Sequence, residues 1–214
     1  MFVVILRKGR CRVIVIQESK SEDTKDISNI YLEAFPSATR SLLGLKTSEE
    51  YFKRVLQHNS YSLITASLNN EILGFVVFID NLFETVGRRW ILKHWSELVM
   101  FVLKHPIYVL DRLIYRIRAL ILQKISFSRP SVVSDLKGGS CIDVIAVKKS
   151  ARGLGVGTSL IMHCIHIAKE KKIDFVNLAV EEENSEAIRL YESIGFKQIS
   201  YDKNDKMHIL SFSC

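Results

Sequence analysis

The amino-acid sequence predicts an α/β fold, a mixed central sheet of about seven strands with helices on both faces. Three observations carry that expectation. Strand-like runs and stretches with helical spacing follow one another along the chain. A loop with glycines at 153, 155 and 157 joins an apolar run to a helical pattern. The composition, 48% hydrophobic and 25% charged over 214 residues, suits one folded domain with a sizeable core.

Met1 to Cys11 read either as an extra edge strand or as an over-extended start. Their short apolar run precedes its basic cluster, the reverse of a secretory signal. RVIVIQES, from Arg12, is strand-like. Thr24 begins a helix with apolar residues at Ile27, Ile30, Tyr31 and Ala34, stopping before Pro36. Thr47 begins another, with Glu50 completing a capping box and Tyr51, Phe52 and Val55 inside it. YSLITASL and EILGFVVFI flank Asn69-Asn70 and predict a β-hairpin. From Cys141, CIDVIAV is a strand, TSLIMHCIHIAKEKK a helix and DFVNLAV a strand. SEAIRLYESI is a helix closed by Gly195, and FKQISY and KMHILSF are closing strands around DKND.

Residues 81–140 break this rhythm between the third and fourth strands. They are apolar and basic, are divided by Pro106, and supply six of the seven net positive charges. They predict a helical insertion within a single domain spanning 1–214. From Ile107, the residues Leu110, Leu113, Ile114, Ile117, Leu120 and Ile121 form a stripe opposite Arg112 and Arg116. A basic amphipathic helix over 107–125 follows. It can pack on the domain's own core or a second subunit, lie on an anionic membrane surface, or act as a lid. No stretch of ~18 residues is free of charge, so no membrane span is expected. Nucleic acid is not an expected partner, because no recognised motif surrounds Trp90, Trp95, Tyr108 and Tyr115. Cysteines at 11, 141, 164 and 214 lack CxxC pairing, which points to a reduced, cytoplasmic location, with the inner membrane surface as an extension.

The glycine loop raises the question of a ligand. Strand, glycine loop and helix together suit a phosphate, because glycines let backbone N–H groups approach an anion and the helix dipole adds to them. A P-loop needs GxxxxGK followed by Ser or Thr, and no lysine stands there. A dinucleotide site fits poorly, since KKSA separates Val147 from Arg152 and little chain remains after Glu181 for a second half. A bare helix start is the remaining alternative.

Arg152-x-x-Gly155-x-Gly157 resembles the acyl-CoA pyrophosphate loop of the GNAT superfamily of N-acyltransferases. NSEAIRLYESIGF, Asn184 to Phe196, matches that family's Asn-x-x-Ala-x-x-x-Tyr-x-x-x-Gly-Phe segment at every named position. The resemblance is specific over Cys141 to Phe212, weaker over Arg12 to Asp80, and does not include the insertion. It implies acetyl-CoA as cosubstrate and no metal. The pyrophosphate would lie on Arg152, Gly153, Leu154, Gly155, Val156, Gly157 and Thr158. A splayed fourth strand would leave Ile145, Ala146 and Val147 for the amide-bearing arm, with an Ile145 N–H polarising the thioester. The acceptor end would be shaped by the first two helices, the loop from Phe35, and the last two strands.

Tyr191 is the candidate acid, two helical turns from Asn184 and on the same side of the helix. Asn184 either binds the arm or caps the helix; a core tyrosine is the plain alternative for Tyr191. Asp143 is the candidate base. It shares strand parity with Ile145 and Val147, and flanking Ile142 and Val144 would partly desolvate it. The alternative is a solvent-facing aspartate. His163 and His166 lack a third metal ligand and predict a solvated helix face. Cys141 predicts a small buried residue rather than a nucleophile. The expected function is acetyl transfer from acetyl-CoA to a primary amine on a small molecule, amino sugar, peptide or lipid-linked acceptor. The alternatives are an acyl-CoA-binding module without turnover and a protein N-acetyltransferase.

Overall fold

The computed structural model describes residues 2–7, 11–36, 38, 41, 44–80, 139–203 and 205–214. In chain order the elements are β1 (Phe2–Arg7), β2 (Cys11–Glu18), α1 (Thr24–Ala34), α2 (Leu45–Leu56), β3 (Tyr61–Leu68) and β4 (Glu71–Ile79). Then follow β5 (Ser140–Val147), α3 (Val156–Glu170), β6 (Phe175–Glu181), α4 (Ser185–Ile194), β7 (Lys197–Asp202) and β8 (Met207–Ser213). The described strands form one sheet in the order β1-β2-β3-β4-β5-β6-β8-β7. Among the described strands only β5 and β6 run parallel, and α3 makes their crossover.

Local chemistry explains most boundaries. Asn69 and Asn70 both take positive φ (50° and 66°), so a two-residue turn with left-handed central residues closes the β3–β4 hairpin. Gly195, at φ 112°, ends α4. Phe2–Arg7 pairs antiparallel with Cys11–Ile16, so the amino-terminal stretch is an edge strand. One expectation fails. Helix α2 begins at Leu45 after Gly44, so Thr47 is a buried helical residue and not a cap. Glu50 instead pairs with Arg54 one turn on, at 2.6 Å.

The sheet divides two cores. On one face α3 and α4 bring Leu160, Ile161, Cys164 and Tyr191 onto Ile14, Ile64, Val76, Phe78 and Ile142. On the other, Ile27, Ile30, Tyr51, Phe52 and Val55 of α1 and α2 cover Leu63, Phe75, Val77 and Ala146. Strand β4, covered on both faces, is therefore apolar almost throughout instead of alternating. The basic insertion, apart from Gly139 and Ser140, lies outside the described residues, as does its 107–125 helix. No described helix is long and apolar enough to cross a membrane.

Candidate active site

Strand β5 is held differently at its two edges. Against β4 it pairs from Cys141 to Val147. Against β6 it pairs only at Ser140, Cys141 and Ile142, and from there the two strands part. Strand β6 itself continues to Glu181, fully paired with β8. The gap opens a cavity of about 680 Å³ whose walls come from β5, β6, α1, the glycine loop and α4.

Backbone alternation decides which β5 groups face the gap. The Lys148 N–H donates to Leu73 O of β4 at 2.8 Å, and Ala146 O also faces β4, 2.8 Å from where a Gly74 Cβ would stand. In a strand these directions alternate, so the N–H and C=O groups of Ile145 and Val147 turn toward the gap. Of the three residues expected to hold the arm, Ala146 thus offers the gap no backbone group.

Gly155 stands at the helix start with φ 79°, and Gly153 precedes it with φ 73°. Both conformations suit glycine. They turn the chain so that the first amides of α3, from Val156, Gly157 and Thr158, have no intrahelical partner and open toward the cavity. A Cβ on Gly157 would meet Leu190 at 3.6 Å and Val147 at 3.8 Å, ordinary contacts, so that glycine is not forced by packing. Arg152 is exposed and lines the cavity. Leu154 does not line it; its side chain packs against the α3-side core.

Helix α4 contributes the opposite wall. Asn184 caps it, Oδ1 accepting from the Ala187 N–H at 3.2 Å, and also lines the cavity. Tyr191 lines it two turns on, 6% exposed, with its ring 5.8 Å from Phe196. Burial pushes its phenol up to about 12, so it keeps its proton through the neutral range.

Asp143 lines the cavity but not as parity predicts. Val77 pairs with Val144 while Phe78 pairs with Ile142, so Asp143 is the extra residue of a β-bulge. Ile142, Ile145 and Val147 all pack on the α3 side, whereas Val144 and Ala146 pack on the α1/α2 side. Asp143 turns to the α1/α2 side, where the Tyr51 hydroxyl donates to Oδ2 at 3.4 Å. It is exposed, not desolvated by its neighbours as expected.

Cys141 is half-buried, and burial with the nearby Asp143 charge pushes its thiol up to about 12, which disfavours the thiolate form. His163 is half-buried, whereas the His166 side chain is 43% exposed and its Nε2 lies 3.2 Å from Glu170. Among the described residues no group of three or more His, Cys, Asp or Glu is placed to hold a metal. Tyr31, Phe35 and Met207 line the cavity from the first helix, the loop from Phe35 and the last strand, elements the sequence analysis named; it missed the wall of Leu178 to Glu181 and Tyr51 behind Asp143. A tyrosine on an otherwise apolar helix stripe was the one available signal, since its hydroxyl needs a partner.

Residues 131–196 match the model of the Acetyltransferase (GNAT) family. A mycothiol acetyltransferase from Thermomonospora curvata is 41% identical over 59 residues, which are 28% of this chain and 20% of that protein. The match thus spans about a fifth of that relative's length. The crystal structure of PH1933 from Pyrococcus horikoshii OT3 superposes with a TM-score of 0.61 at 16% identity, over 94% of this chain and 98% of that one. Salmonella typhimurium yncA, solved with its cofactor acetyl-CoA, superposes with a TM-score of 0.56 at 14% identity, over 94% and 93%. At such identities these structures speak for the fold. The match to the GNAT acetyltransferase family is thus one of residues 131–196, and the likeness to these solved structures is one of fold.

Proposed function

We propose that this chain binds acetyl-CoA in the gap between β5 and β6 and transfers the acetyl group to a primary amine. The observation that carries the reading is the parting of β5 from β6 after Ile142, with a glycine loop at one end and Tyr191 on the wall. The pyrophosphate sits on the first amides of α3 with Arg152 beside it. The amide-bearing arm pairs with the gap-facing groups of Ile145 and Val147.

The neutral amine attacks the thioester carbon, forming C–N, and the carbonyl oxygen gains charge that the Ile145 N–H stabilises. Asp143 takes the proton the nitrogen sheds, directly or through a water. Collapse breaks C–S, and the sulfur leaves as a thiolate. Tyr191, at about 12, holds its proton more tightly than a thiol of ordinary pKa, ~8.5. It therefore stabilises the departing sulfur by donating a hydrogen bond. Solvent, which receives the proton from Asp143, completes the thiol.

The test is calorimetric titration with acetyl-CoA, then thiol release across a panel of small amines, amino sugars, peptides and lipid-linked amines. The expected result is micromolar or tighter donor binding, weakened by salt, with thiol released only when an acceptor is present. The relative named mycothiol acetyltransferase puts small-molecule amines first on the panel. Absence of donor binding overturns the reading. Binding without turnover on any amine replaces it with an acyl-CoA-binding module.

A further inference from the structure

We infer that Tyr51 is a positioning residue for this reaction, its phenol holding the Asp143 carboxylate at the wall of the cavity where the acceptor nitrogen must lose a proton. The inference rests on the reading of Asp143 as the group that takes that proton.

Asp143 is the extra residue of the bulge, between Ile142 and Val144 in the register with β4. It also lies one residue beyond the last pair with β6. It is exposed at the cavity wall, so the direction of its carboxylate decides where a proton can be taken up. A group from elsewhere in the fold reaches this carboxylate.

Helix α2 supplies it. Tyr51 is 92 residues away in sequence, and its ring is 5% exposed. The ring meets Phe52 edge-on, centroids 5.3 Å apart at 73°. Phe52 is in turn locked edge-on against Tyr31 at 5.7 Å and Phe75 at 5.2 Å. A phenol fixed by such packing presents its hydroxyl at one place, and that place is 3.4 Å from Asp143 Oδ2. The distance is long for an O–H···O bond, so the contact orients the carboxylate without saturating it. The bulge and the tyrosine act together. The bulge turns Asp143 onto the α1/α2 face, and Tyr51 is the hydroxyl waiting there. Supporting groups of this kind govern whether a catalytic side chain is held closely enough to act.

A double-mutant cycle on the full chain tests this, with wild type, Tyr51→Phe, Asp143→Asn and the double variant assayed on the best amine of the panel. Tyr51→Phe removes one hydroxyl and should lower kcat about two- to ten-fold, leaving the acetyl-CoA Kd and Tm unchanged. Asp143→Asn should lower kcat by roughly a hundred-fold or more. The double variant should match Asp143→Asn alone, because the tyrosine has nothing left to position. A merely structural tyrosine would slow both backgrounds by the same factor, and that result overturns the inference. So does an unchanged kcat in Tyr51→Phe while Asp143→Asn is slow, which leaves the Asp143 reading standing. An unchanged kcat in Asp143→Asn removes both. Where Tyr51→Phe does not fold, Tyr51→Leu, also without the hydroxyl, repeats the cycle.

Discussion

The two edges of β5 are held by opposite means. Toward β4 its ladder runs from Cys141 to Val147, interrupted by one bulge, and covering helices bury the pair on both sides. Toward β6 the ladder ends at Ile142 while β6 stays fully engaged with β8. An unpaired backbone group away from water costs about as much as a lost hydrogen bond. A fold that keeps such an edge needs a firm hold on the other side. Here that hold is the β4 pairing, and it lets the free edge stay open without closing or slipping. The difference teaches that the site is made by an interrupted ladder, and side chains are added to its rim.

The glycine loop is where the open edge ends, so breaking it should have the largest effect. Gly155→Val forces a β-branched residue to φ 79° and crowds the first amides of α3. Acetyl-CoA affinity should fall at least about a hundred-fold, as for losing two or more charge-assisted hydrogen bonds. Calorimetry reads it, and wild-type affinity in this variant would mean the amides hold something else.

Next comes the rim of the open edge. Tyr191→Phe should lower kcat roughly ten- to a hundred-fold, the worth of one hydrogen bond to a charged group, with donor Kd unchanged. A rise in Kd at constant kcat would make Tyr191 a wall of the cavity and no more. Fluorescence titration and steady-state kinetics separate the two outcomes.

The closed end of β5 answers a different test. A Cβ on Gly139 would stand 2.5 Å from Asn177 Nδ2 and 2.8 Å from Phe175 O. Asn177 meanwhile donates to Ser140 O at 3.2 Å, and the Ser140 hydroxyl to Phe175 O at 3.2 Å. These bonds pin β5 to β6 just before they part. Gly139→Ala should therefore destabilise the fold by ~1–3 kcal/mol, as overpacking does, read from urea midpoints. An unchanged midpoint would show that the junction is slack and that the parting of the strands is not anchored there.

The same comparison explains how much could be read in advance. The open end's cavity wall was legible because its signals are local. Positive φ at 153 and 155 asks for glycine, a helix start asks for Asn184, and Tyr191 follows two turns later on the same side. The order of strands and helices was legible for the same reason. The bulge was not, because Asp143 is the one polar residue in CIDVIAV and no glycine or proline marks position 143. A residue count alone therefore assigned Asp143 to the wrong face. Tyr51 was legible only as a helix residue, since its role depends on a contact between elements far apart in sequence. The start of α2 was misplaced because Gly44 opens the helix ahead of the Thr47 signal.

The smallest expected effect concerns pH, and it probes both ends of β5 at once. Cys141, at the closed end, and Tyr191, on the open wall, are neutral when protonated, and burial raises both to about 12. Their ordinary values are 9.0 and 10.0. Between the ordinary and the raised value the unfolded chain releases a proton that the folded chain keeps. Stability is then fully present below the ordinary value and falls as pH rises through the window. The decline should begin near pH 9 from Cys141, joined by buried Cys164, whose thiol is also shifted upward, and should steepen above pH 10 from Tyr191. Tm should drop by a few °C across this range. Cys141→Ala should reduce the slope from pH 9 upward, whereas Tyr191→Phe should reduce it only above pH 10. Calorimetric scans from pH 8 to 11 distinguish them, and a Tm that stays level to pH 11 would mean that both groups meet water freely and that the junction beneath the gap is wet.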